Sequence, residues 1–85
     1  MVWVTNAKKI DAPYQLHLEF NDGLKGLVDL KKVLENDHRP IVRELLNIEV
    51  FNAFEVENDT VCWKNGVDFA PEFLYEMTKN YKQAA

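Results

Sequence analysis

Serine is missing from this chain and cysteine occurs once, at Cys62. The absence of serine removes the commonest hydroxyl nucleophile, and a lone cysteine inside an apolar strand is ordinarily an inert thiol. One cysteine also forbids an internal disulfide, which fits a reducing compartment. The three glycines are scattered at Gly23, Gly26 and Gly66, so no glycine-rich phosphate loop is present. Only two histidines occur, His17 and His38, and neither has a cysteine or histidine at zinc-ligand spacing. No metal and no cofactor are therefore expected. No apolar run approaches the roughly 18 residues of a membrane span. The opening "MVWVTNAKK" lacks the basic stretch and apolar core of a signal peptide. The expected location is the cytoplasm, with no membrane contact.

What is present is an ordinary globular composition, 47% hydrophobic and 28% charged over 85 residues, which predicts a single domain over 1–85. The formal charge of −4 is unevenly spread. Residues 1–43 carry seven Lys/Arg against six Asp/Glu, whereas residues 44–85 carry three against eight. A phosphate-binding surface needs the opposite sign, so direct nucleic-acid binding is not expected. A basic partner suits such a surface better. Lys8-Lys9, Lys25 and Lys31-Lys32 read as solvated surface unless the fold groups them.

The pattern along the chain predicts an α+β domain. Its antiparallel sheet has two hairpin units, about five strands, with a short helical middle and a C-terminal amphipathic helix packed on the sheet. Residues 2–10 read as a strand with Val2 and Val4 on one face. In "YQLHLEF", residues 14–20, Tyr14, Leu16, Leu18 and Phe20 alternate with polar neighbours, the period of a half-buried strand. Asp22-Gly23 is a hairpin signal, and "LKGLVDL" returns. Asp29 ends that strand and offers its carboxylate to the first amides of a helix bearing Leu30, Val33 and Leu34. Pro40 opens a second helical piece, with Ile41, Val42, Leu45 and Leu46 expected inward. A second hairpin turns at Asn58-Asp59, with Val61 and Trp63 sharing a face.

The stretch "CWKNGVDFAPEFLY", residues 62–75, is the most heavily patterned. Trp63 reads as a core aromatic, Asn65-Gly66 as a tight turn, and Asp68 as the N-cap of the last helix, with Pro71 in its first turn. Phe69, Phe73, Met77 and Tyr81 recur every four residues, with Leu74 beside them, and are expected to face the sheet. Asp22 with Asp29, and Asp68 with Glu72, are the available carboxylate pairs. Each member has a turn or capping task that competes with acid–base chemistry, so the chain is not expected to be an enzyme.

The order "LHLEF", "NDG", "VDL", "VCWKNG", "VDFAPEFLY" resembles a small prokaryotic family catalogued as domain of unknown function 2442, over about residues 2–77. Phe20, Asp22, Gly23, Asp29, Trp63, Gly66, Asp68, Leu74 and Tyr75 match its pattern. The resemblance implies an α+β fold with helices on an antiparallel sheet, and no established activity. Some members look paired with a second small protein in the manner of toxin and antitoxin. Some longer ones carry a helix-turn-helix domain that these 85 residues do not match, so DNA binding is not carried over.

Binding remains. Trp3 alternates against Val2 and Val4, so valines in the core would aim the indole outward, where an aromatic can anchor a partner. The expectation is a small protein-interaction module, antitoxin-like or accessory, whose partner is a small basic protein. Trp3 would be the anchor, with Glu55, Glu57 and Asp59 at the rim. The alternative is a homodimer that binds a small molecule or nucleic acid through the concave side of its sheet.

Overall fold

A computed structural model describes residues 1–81. Three strands, β1 (Val4–Lys9), β2 (Gln15–Phe20) and β3 (Lys25–Asp29), form one antiparallel sheet in that order. The alternation of β2 buries Leu16, Leu18 and Phe20, and Val28 joins them from β3. The opposite face, with His17, Glu19, Lys25 and Leu27, holds no buried residue. The register of β1 slips between Val4 and Asn6, so Thr5 is the extra residue of a bulge. Tyr14 lies just outside the strand expected to include it. Its φ of 62° turns it out of the pleat, its carbonyl accepts from the Leu30 amide, and its hydroxyl donates to the Leu46 carbonyl.

Two turns share one design. In Phe20–Leu24 the Gly23 amide donates to the Phe20 carbonyl at 3.0 Å, and the Phe20 amide donates to the Leu24 carbonyl at 2.9 Å. In Trp63–Val67 the same two bonds measure 3.0 and 2.9 Å. Both place only the glycine in the left-handed region, Gly23 at φ 96° and Gly66 at φ 98°. Both use the preceding Asx side chain, Asp22 or Asn65, to accept the amide two residues on. This is a three-residue turn ending in a glycine bulge. Asn58 and Asp59, by contrast, both have positive φ, 52° and 69°, the two-residue mirror-image turn that matches strand twist.

The middle of the chain is helical. Helix α1 (Lys31–Asn36) follows Asp29, whose carboxylate accepts from the Lys31 amide at 3.0 Å, while Leu30 occupies the capping position. Helix α2 (Pro40–Arg43) has Pro40 in its first turn, and a 3-10 turn over Glu44–Leu46 continues it. Helix α3 (Ile48–Asn52) is capped by Asn47, whose side chain accepts from the Glu49 amide. Val42 and Leu45 are buried, but Ile41 is 42% exposed, contrary to expectation. One turn of helix can turn only part of its circumference to the core, and Val42 takes that direction.

Strands β4 (Glu55–Glu57) and β5 (Thr60–Cys62) form the second hairpin as a separate two-stranded sheet. The Val4 amide donates to the Asp59 carbonyl at 2.9 Å and brings this hairpin beside β1. After Gly66 the chain runs back along β5, bridging Cys62 with Asp68. Val67 and Phe69 point inward, Asp68 and Ala70 outward.

The last helix, α4 (Pro71–Asn80), therefore starts later than the sequence suggests. Ala70, extended with ψ 134° as a residue before proline must be, holds the capping position without a side-chain bond. Asp68 caps nothing. The buried stripe is also rotated: Leu74 and Thr78 are buried, Tyr75 and Met77 half-buried, and Phe73 is 42% exposed. Tyr81 lies past the helix end. The four-residue spacing counted from Phe69 crosses extended backbone, so it did not report helical phase. Contact with the sheet is close at Gly26 in β3, where an added Cβ would lie 2.9 Å from the Thr78 methyl.

A candidate interaction surface

Trp3 is held by its backbone to the first hairpin turn. Its amide donates to the Asn21 side chain at 2.8 Å, and its carbonyl accepts from the Asn21 amide at 3.0 Å. The neighbouring residue makes the Val4–Asp59 bond, so Trp3 lies alongside the tip of the second hairpin. The residue is 39% exposed. At that tip Glu57, Asn58 and Asp59 are exposed, and Val56 adds an apolar side chain that is 38% exposed. Trp3, Glu57 and Asp59 are thus drawn into one region. Glu55 is half-buried and pairs across the hairpin with Cys62.

The charges around Cys62 fix its chemistry. Burial raises the pKa of its thiol, and the negative charges of Glu57, Glu55 and Asp68 raise it further. A thiol held protonated is a poor nucleophile. Asp68 thereby joins the acidic group. Its outward position follows from the alternation of residues 67–70, a period-two signal overlaid by the resemblance of Asp68 to a helix cap.

The other residues of the sequence pattern have structural tasks. The Tyr75 hydroxyl donates to Asp22 at 2.6 Å, and its ring meets Phe20 edge-on at 5.1 Å. This pair ties α4 to the first turn. The Tyr75 hydroxyl, with the Leu24 amide, holds the Asp22 carboxyl below its ordinary pKa, and the Tyr75 phenol is raised in return. The Trp63 indole donates to the Phe51 carbonyl at 2.9 Å and is buried among Phe51 and Phe69. Leu74 is fully buried. Asp22 and Asp29 stand at opposite ends of β3, so they share no cleft.

The basic positions do not form one patch: Lys8 and Lys25 come near each other around Glu19, away from Lys31 and Lys32. Lys25 pairs with Glu19 at 3.6 Å, and Asn6 donates to the same carboxylate. The Asn6 bond, more than the two nearby lysines Lys25 and Lys8, lowers the Glu19 pKa. Lys31 and Lys32 line a different hollow of about 470 Å³ with Asp29, Glu35 and Met77. In the loop after α1, Arg39 grips Asp37 through two side-chain bonds and holds that carboxyl at about 2, while His38 between them is exposed. No group of three His, Cys, Asp or Glu able to hold a metal ion occurs among the described residues.

One further concavity was not visible in the sequence. A groove of about 440 Å³ runs between the Glu44–Ala53 segment and the turn after β5, with Trp63 and Val50 in its lining. Asn65 spans its wall, donating to the Ile41 carbonyl and to Glu44.

Comparison with known proteins places most of the chain in a family, with Trp3 and Val4 outside the matched residues. The model of the family described as "Protein of unknown function (DUF2442)" matches residues 8–80, and the chain belongs to that family. No curated protein and no solved structure matches the chain.

Proposed function

We propose that this member of the family is a protein-interaction module whose partner is a small basic protein, in the manner of an antitoxin or accessory subunit. The observation that carries this reading is the Val4–Asp59 bond, which sets the half-exposed Trp3 beside the acidic tip of the second hairpin. An aromatic surface rimmed by carboxylates suits an apolar anchor with like-signed steering charges around it. Glu57 and Asp59 form the rim, with Glu55 behind them. The thiol kept protonated at Cys62 and the structural tasks of Asp22, Asp29 and Tyr75 favour binding over catalysis. No described helix is long and apolar enough to cross a membrane.

Affinity capture with the tagged chain from its native host, at low and at high salt, tests this. The expected result is a small basic protein retained at low ionic strength and released by salt or by Glu57→Lys with Asp59→Lys. Retention unaffected by salt and by both charge reversals would contradict it.

A further inference from the structure

We infer that the groove between α3 and the turn after β5 receives an arginine side chain of the basic partner. The inference rests on the proposed function for the sign of the partner's charge and adds a second contact, built from other residues. Three features of the groove support it. Its volume, about 440 Å³, has room for a single long side chain. Val50, Ala53 and Trp63 line it with apolar surface, against which the methylene stem of a basic side chain packs while its head stays at the rim. Glu44 and Glu49 supply carboxylates in the same lining.

The polar geometry favours arginine over lysine. Asn65 donates to one oxygen of Glu44, and the other oxygen accepts no hydrogen bond among the described residues. The Glu49 carboxylate likewise accepts none among them; the bond between Asn47 and Glu49 is made by the Glu49 backbone amide. Two carboxylates in one lining match the planar fork of a guanidinium, which presents five donors, better than they match a point charge. Lys64 is the only cation in the lining, so the groove keeps a net negative charge. The wall that presents Glu44 is braced by the Asn65 bonds to Glu44 and to the Ile41 carbonyl, so the geometry exists before a ligand arrives.

The test is a titration of the isotope-labelled chain with N-acetyl-arginine methylamide, followed by amide and indole proton–nitrogen spectra. The neutral isostere N-acetyl-citrulline methylamide is run in parallel. Saturable shifts are expected at the Val50, Ala53 and Lys64 amides and at the Trp63 indole. Citrulline should bind at least about tenfold more weakly. Glu44→Gln combined with Glu49→Gln should weaken arginine about as much, while the glutamine at 44 still accepts from Asn65. Glu35→Gln, in the separate hollow beside Lys31 and Lys32, should leave the titration unchanged. Equal shifts with citrulline, persistence after the double substitution, or shifts centred on the 55–59 hairpin would each overturn the assignment. Failure of the partner capture while arginine still binds the groove would instead count against the proposed function.

Discussion

Asp22 and Tyr75, 53 positions apart, are the clearest single contact between the two halves of the chain. The lowered Asp22 pKa means the folded state binds that proton less readily than the unfolded chain. The stabilisation is complete above the unfolded pKa and disappears as pH falls through the folded one. Tyr75 is raised, so its share persists below the ordinary phenol value of 10.0 and is lost as pH rises through the folded value. The bond holds between those limits, which include neutral pH. In Tyr75→Phe, carbon NMR should show the Asp22 carboxyl titrating closer to its ordinary value; an unmoved titration would contradict the assigned cause. Capping gives a second comparison. Asn47→Ala should cost about 0.5–2 kcal/mol in denaturant melts, because its side chain holds the Glu49 amide. Asp68→Ala should change stability by less than about 0.5 kcal/mol, as expected for a surface side chain without a cap. The tasks of Gly23, Asp29 and Trp63 could be read from sequence because they are local or follow from alternation. The position of Asp68 was not legible, because an Asx before a helical stretch resembles a cap, and only the extended segment after Gly66 shows that the helix begins later.

At the scale of elements, β2 and both hairpins were legible, since strict alternation and turn chemistry act over a few residues. The face of α4 was not. It depends on close packing with another element: Gly26, without a Cβ, leaves space for the Thr78 methyl. Gly26→Ala should therefore destabilise by about 1–3 kcal/mol through overpacking. Thr78→Ser, which removes the methyl and keeps the hydroxyl bond to the Leu74 carbonyl, should recover much of that loss in the double variant. Strictly additive effects in thermal or denaturant unfolding would show that the methyl is not what Gly26 accommodates. The splitting of the strands into a three-stranded and a two-stranded sheet was also hidden, because pairing between β1 and the second hairpin depends on residues more than fifty positions apart.

For the whole molecule, the sequence showed that acidity gathers in residues 44–85 but not where it faces. Folding places part of it at the hairpin tip beside Trp3 and part in the groove lining at Glu44 and Glu49, and leaves Glu72 and Glu76 on α4. The groove was illegible because its walls come from two separated segments and its volume exists only once Trp63 is seated under α3. The central claim is that Trp3 anchors a basic protein while the carboxylates beside it guide encounter. The most direct test measures association and dissociation rates of the captured partner with the wild-type chain, Trp3→Ala and Glu57→Lys. The account predicts faster dissociation for Trp3→Ala, by about 30-fold for a hot spot near 2 kcal/mol, and slower association with little change in dissociation for Glu57→Lys. Wild-type dissociation of Trp3→Ala, with its fold intact, would contradict it.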